Sequence, residues 1–257
     1  MNLYLLTFAL ALAPSLFWLV IYRWEDREDP KPKKAILTVF IAGAALAFIV
    51  VAVEGALLVI LPNFTGWHWL KNIMVATVFI AAIEEALKLL FSRLIIWHEK
   101  VIEQIIDGPI FSIALSLGLA AVENFVYFAI FLIPNWGLAS ANQLFALPSA
   151  LTNWSTSAIF LLIFAMRFLF TTLMHTVTSG IMGLHLGRAF FQQERWRQIL
   201  DQGLFFAIVI HASFNLLAIY GQIWLALIIV ILAAIWLFSH LRSKQNLQIR
   251  RRLSYLK

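Results

Sequence analysis

Apolar residues dominate this chain in long stretches, broken by short polar segments. A membrane-spanning helix needs about 20 mostly apolar residues. Seven runs qualify: Leu3–Tyr22, Ala35–Leu61, Asn72–Trp97, Asp107–Ile133, Ser155–Ala189, Gly203–Tyr220 and Ile223–His240. All read as helices, and no series of segments alternates with the period of a strand, which argues against an outer-membrane barrel. The fifth run is long enough to be tilted, kinked or preceded by an interfacial turn. There is no internal repeat or low-complexity block. Ala11-Leu12-Ala13 loosely resembles a signal-peptide cleavage site. No positive charge precedes the first run, however, and its apolar character continues to Ile21, so a retained span is expected.

Composition narrows the class. Of 257 residues, 62% are hydrophobic and 12% charged, and the mean hydropathy is +0.88. These values exclude a water-soluble enzyme, a disordered chain and a fibrous repeat. The chain has no Cys, which removes disulfides, thiolate catalysis, iron–sulfur clusters and Cys-type zinc sites. The net charge of +6 sits at span ends and in loops, where it reads as a topology and anionic-lipid signal, with no nucleic-acid partner. Basic residues alternate from loop to loop. Arg23, Arg27, Lys31, Lys33 and Lys34 follow the first run, and the next loop has only Lys71. The third has Arg93 and Lys100, the fourth none, the fifth Arg188, Arg195 and Arg197, and the sixth none; the tail holds Arg242, Lys244, Arg250, Arg251, Arg252 and Lys257. The expectation is an all-α polytopic bundle of about seven transmembrane helices, with the N-terminus outside and the C-terminus cytoplasmic. Residues 1–257 would form one integral-membrane domain, with a basic cytoplasmic tail over 241–257. Trp67, Trp69, Trp136 and Trp154 would mark the outer interface.

Against this background the ionisable residues inside the runs stand out: Glu54, Glu84, Glu85, Lys88, Glu123, Arg167, His175 and His211. A charged side chain at mid-bilayer costs about 2.5–3.5 kcal/mol on insertion scales, so several together must face a cavity or one another. Acidic residues outside the runs read as solvated. Glu84, Glu123, His175 and His211 can share roughly one depth at about 1.5 Å rise per residue. Glu54 lies nearer the outer end of its span, as a mouth residue or a structural partner. Lys88 is i+4 from Glu84 and i+3 from Glu85, on one helical face. It can hold one carboxylate ionised while burial acts on the other, a separation suited to acid–base chemistry. An intrahelical salt bridge is the structural alternative. His211 and Asn215 are i,i+4, and Thr171, Thr172, Thr178 and Ser179 surround His175 with polar groups. Arg167 can neutralise a carboxylate. His68, His98, His185 and His240 lie near span ends or in loops and receive no role. Ser112, Ser116 and Ala120, and Ser179, Gly183 and Gly187, form four-residue stripes suited to close helix packing.

Other membrane catalysts lack their residues here. There is no His-Glu-x-x-His for a zinc protease. The only Asp near a span is Asp107, at its cytoplasmic edge. No Gly-x-Ser loop beside a His suggests a rhomboid-like site, and the last run has no Lys for a retinal. His175 and His211 as haem ligands would leave the Glu pair unexplained. A glutamate-and-histidine site that activates water fits best.

Glu84-Glu85-Ala86-Leu87-Lys88 resembles the Glu-Glu-x-x-Lys motif of PrsW-type intramembrane proteases, relatives of the type II CAAX prenyl endopeptidases. Asp107-Gly108, Gly118 and Glu123-Asn124-Phe125-Val126-Tyr127 resemble the second motif. Arg167, His175, Gly180 and Gly183 resemble the third, and His211-Ala212-Ser213-Phe214-Asn215 the fourth. The likeness covers about 84–215, within a catalytic-like core of about 72–220. It implies a helical bundle with a wet site opening within the membrane. Glu84 would activate water, with Glu85 and Lys88 supporting it. His211 and Asn215 would stabilise an oxyanion, His175 would assist with the water or a proton, and Asn124 and Arg167 would support. The CAAX branch has His where this chain has Glu123, which removes a metal ligand and adds a carboxylate that would share a proton with Glu84. The resemblance favours a glutamate-only mechanism without a cofactor. A divalent metal on Glu84, His175 and His211 is the minority reading.

The implied function is cleavage of membrane-anchored proteins, like that of single-span regulators such as anti-sigma factors, by an enzyme of a bacterial-type plasma membrane. Two other readings stay open. One is a non-catalytic scaffold or chaperone held together by the buried cluster. The other is an ion-coupled carrier, for which no inverted repeat speaks.

Overall fold

The computed structural model describes residues 2–25, 31–56, 73–98, 102–133 and 156–255, and every regular element among them is helical. In chain order these are α1 (Leu3–Glu25), α2 (Lys33–Gly55), α3 (Ile73–His98) and α4 (Asp107–Leu132). Next, α5 (Thr156–Met166) passes through a π-helical turn (Arg167–Thr171) into α6 (Thr172–Phe191). A 3-10 turn (Gln193–Arg195) leads to α7 (Trp196–Ile219), and α8 (Ile223–Tyr255) ends the chain. With α5 and α6 counted as one rod, the described residues form seven rods. The loops expected outside, with Trp67, Trp69, Trp136 and Trp154, lie outside the described residues, as do Arg27, Lys71, Lys100 and 57–61 of the second run.

Among the described residues six stretches are long and apolar enough to cross a membrane: Leu3–Arg23, Lys33–Gly55, Asp107–Ala129, Ala158–Phe191, Gln193–Ile219 and Ile223–Arg242. The rod they omit is α3. It is 26 residues long, but Glu84, Glu85 and Lys88 occupy its middle. Large apolar side chains such as Phe48, Trp224 and Ile235 are exposed on the outer surface, as expected of a protein solvated by lipid. The protein is an integral membrane helical bundle. Two runs were longer than their apolar cores. α7 begins at Trp196 because the mixed sequence Trp196–Gln202 still has one core-facing residue, Leu200. α8 continues to Tyr255 through Arg-, Lys-, Gln- and Leu-rich sequence of high helix propensity.

The centre is built from α4 and α6. Every residue from Thr172 to Gly187 is buried, as is every residue from Phe111 to Ala121. α4 packs on α1, α2 and α6, while α7 packs on α3, α6 and α8. The α4–α6 contact depends on missing side chains. A Cβ on Gly183 would collide with the Gly108 backbone and Pro109, one on Gly108 with the Gly183 carbonyl, and one on Gly187 with the Ile105 carbonyl. Of the two expected small-residue stripes, Gly183 and Gly187 thus lie where two backbones meet, and Ser116 donates a hydrogen bond to the His175 carbonyl at 3.0 Å. Gly183→Val is expected to cost about 1–3 kcal/mol or more through overpacking. Thermal unfolding in detergent would show a lowered Tm, and an unchanged Tm would refute the contact.

One basic end of the bundle is fastened by an ion pair that the sequence pattern did not point to. Asp107 Oδ2 accepts the Glu103 and Gln104 N–H groups, each at 2.8 Å. Its Oδ1 lies 3.0 Å from Lys31 Nζ, and both side chains are buried. Lys31, between two prolines, therefore ties the segment before α2 to the start of α4.

Candidate active site

Four helices bring the intramembrane charges together. α3 supplies Glu84, Glu85 and Lys88, which fall on one face because they are three and four residues apart. α4 supplies Glu123 and Asn124, α6 supplies His175 and Thr178, and α7 supplies His211. The π turn supplies Arg167. A π turn carries an extra residue and leaves carbonyls without their usual partner. Here the Trp18 indole donates to the Phe168 carbonyl at 3.0 Å, and Thr172 Oγ1 donates to the Arg167 carbonyl at 2.7 Å. The turn places the Arg167 guanidinium 3.2 Å from Glu123 Oε2 and 3.9 Å from the Tyr127 ring centroid. Its Nε donates to Asn124 Oδ1 at 2.5 Å.

The two neighbouring glutamates are treated differently. Glu85 Oε1 receives Lys88 Nζ at 2.6 Å, Thr178 Oγ1 at 3.1 Å and His211 Nδ1 at 2.7 Å. Glu84 has looser contacts. Its Oε1 lies 3.1 Å from Lys88 Nζ and 3.2 Å from His175 Nδ1, and its Oε2 lies 3.7 Å from His211 Nε2. Lys88 thus bridges both carboxylates and is fully buried.

Glu123 and Glu84 face the same imidazole. His175 stands between them, with Nε2 3.1 Å from Glu123 Oε2 and Nδ1 facing Glu84. The His175 and His211 rings meet edge to face, with centroids 5.4 Å apart. Each histidine is therefore oriented by a carboxylate through one nitrogen, His175 by Glu123 and His211 by Glu85. Each turns its other nitrogen toward Glu84.

Asn215 lies one turn beyond His211, half-buried, and makes no hydrogen bond among the described residues. Glu54, half-buried on α2, lies within electrostatic reach of Glu84, Glu123 and His175. Thr178, expected on the polar face around His175, and Tyr127, the end of the second motif, had been given no individual role; they contact Glu85 and Arg167. The Tyr127 position four residues after Glu123 was the available signal, and Thr178 is i+3 from His175.

The family model for "PrsW family intramembrane metalloprotease" matches residues 31–240. The chain belongs to the PrsW family. It is 25% identical over 232 residues to Protease PrsW of Clostridioides difficile (strain 630), covering 89% of this chain and 86% of that one. It is 24% identical to Protease PrsW of Shouchella clausii (strain KSM-K16), covering 92% and 94%. Protease PrsW of Bacillus subtilis (strain 168) is 21% identical, covering 91% and 92%. No solved structure matches.

The PrsW description includes a metal, so the donor set matters. Glu84, Glu123 and His175, and Glu84, Glu85 and His211, each bring ligand atoms within 4.8 Å of one another. Glu84 belongs to both groups. His175 Nδ1 and Glu84 Oε1 are buried and make no hydrogen bond among the described residues. Each group offers one imidazole and two carboxylates, donors that divalent ions accept, and carboxylates behind ligating histidines are their usual support. Charge points the same way. Glu84, Glu85 and Glu123 face two fixed cations, Lys88 and Arg167, and an unbalanced buried charge is costly. A proton on an imidazole or a bound cation supplies the balance. The residues fit a divalent ion.

Proposed function

We propose that this protein is an intramembrane endopeptidase that hydrolyses a peptide bond of a membrane-anchored protein with water activated at Glu84. The observation that carries the proposal is the convergence of His175 and His211 on Glu84 from different helices, each backed by its own carboxylate. Glu84 is the base because both histidines turn a nitrogen toward it at looser distances, whereas Glu85 Oε1 is occupied by three donors. Lys88 keeps the adjacent carboxylates compatible. The water proton passes to Glu84, and His175, held by Glu123, receives or returns a proton at Nδ1. His211 and Asn215 stand on one face of α7 to donate to the developing oxyanion. Arg167 fixes Glu123 and acts on the reaction through His175. In the minority reading Glu84, His175 and His211 would instead hold a divalent ion, with Glu84 a ligand rather than the base; the ion when bound lowers the pKa of a water and polarises a carbonyl.

In this reading all seven rods span the bilayer, α3 included, with the N-terminus outside and the C-terminus in the cytoplasm. The chain forms one membrane domain with its catalytic core at about 72–220 and a basic tail at 241–257. Substrates are single-span proteins such as anti-sigma factors, because only a membrane segment reaches a site enclosed by spans. Orientation has a simple check, since the chain has no native Cys. A cysteine introduced at Gln248 should react with an impermeant maleimide only after cells are opened; labelling of intact cells would reverse the topology.

The deciding experiment reconstitutes purified protein with candidate single-span substrates, wild type beside Glu84→Gln, each with and without chelator. Cleavage by wild type alone supports the proposal. Cleavage retained by a folded Glu84→Gln variant overturns it. Loss on chelation with recovery on adding zinc shows that the reaction needs an ion and favours the minority reading.

A further inference from the structure

Away from the charged cluster, a cavity of about 390 Å³ opens where the ends of α3, α6 and α7 meet. Arg93, Ala189, Phe190, Gln193 and Trp196 line it. Arg93 comes five residues after Lys88 on α3, and Trp196 is the first residue of α7. The Arg93 guanidinium lies over the Trp196 ring, 4.3 Å from its centroid, and Arg197 approaches the same ring at 5.2 Å. Both Arg93 and Trp196 are half-buried. An arginine serving only as a solvated interface charge would extend into water. This one sits over an indole face, and guanidinium groups make paired contacts to phosphate oxygens.

The chemistry around the cavity has two parts. Arg188, Arg195 and Arg197 add positive charge along the same segment, against Glu194 and Asp201. Phe190, Trp196 and the exposed Phe191 add apolar surface. A cationic pocket between helix ends, at the basic end of a membrane bundle and walled by aromatics, suits an anionic headgroup with its glycerol and acyl carbons. The proposed active site uses none of these residues.

We propose that this cavity binds a phosphate-bearing anion, supplied by a phospholipid headgroup, with Arg93 as the principal contact. Binding would bridge α3 to α6 and α7, the helices that carry Glu84, His175 and His211. The test is native mass spectrometry on delipidated protein in detergent. Phosphatidylglycerol or phosphatidylcholine is added, with or without millimolar inorganic phosphate. Wild type is compared with Arg93→Gln, Arg93→Lys and Lys34→Gln. Lys34 is an exposed charge at the start of α2.

Wild type should retain phosphatidylglycerol in preference to phosphatidylcholine. Arg93→Gln should lower that preference roughly fivefold, the effect of about one interfacial cation. Arg93→Lys should fall between them, and Lys34→Gln should match wild type. Displacement of the lipid by inorganic phosphate would identify a free-phosphate site with the same chemistry; resistance to it identifies the headgroup. Equal retention of the two lipids by wild type overturns the proposal. So does an Arg93→Gln variant of unchanged Tm that keeps the full preference, or a Lys34→Gln variant that loses it equally.

Discussion

Glu84→Gln should remove about 10²–10⁴-fold of cleavage rate, the usual share of a positioned general base, and leave Tm nearly unchanged. The amide occupies the same volume, and Lys88 keeps its 2.6 Å contact to Glu85. Glu85→Gln should behave differently. Glu85 Oε1 has Lys88, Thr178 and His211 on it, so the substitution disturbs the His211 orientation and the packing of α3 on α6 and α7 together. Activity and Tm should then fall in parallel. Single-turnover cleavage beside thermal unfolding separates the two outcomes. If Glu85→Gln loses rate at full stability while Glu84→Gln stays active, the roles are reversed.

The largest stability effect should come from Lys88→Met. Removing one partner of a buried pair leaves the other as an uncompensated charge, at about 3–5 kcal/mol. Lys88 is completely buried between two carboxylates, so the loss should reach that range. The combined Glu84→Gln, Glu85→Gln, Lys88→Met variant removes all three charges and should recover much of the stability with none of the activity. Reversible unfolding in mixed micelles measures both. A Lys88→Met protein as stable as wild type would mean that the two carboxylates are not ionised together. That pattern also separates a catalytic cluster from a merely structural one, since the triple variant keeps the bundle and loses the chemistry.

The helices were legible because lipid solvation requires long apolar runs, and composition marks those runs directly. The ends of α7 and α8 were not, because Trp196–Gln202 and the basic tail are helical without being apolar. The charged cluster was legible residue by residue, since each member violates the apolar pattern. Its wiring was not. Spacing within α3 placed Lys88 beside Glu84 and Glu85, but which histidine nitrogen meets which carboxylate depends on rotations between helices. The position of His175 between Glu84 and Glu123 is of that kind. The π turn at Arg167–Thr171 had only the excess length of the fifth run as a signal. The Lys31–Asp107 pair was missed because a charge near a span edge looks solvated until the loop carrying it is seen to fold inward.

The indole of Trp18 gives α1 a role that its place in the sequence conceals. The family match begins at residue 31, after α1, yet Trp18 holds the Phe168 carbonyl and the Ala11 carbonyl accepts from Asn124. The helix thus acts as a splint across the bend that aims Arg167. In a shortened chain starting at α2 the bend would lose this partner and Glu123 would lose its brace. Modular as the core looks on paper, its aim is set by a helix outside it.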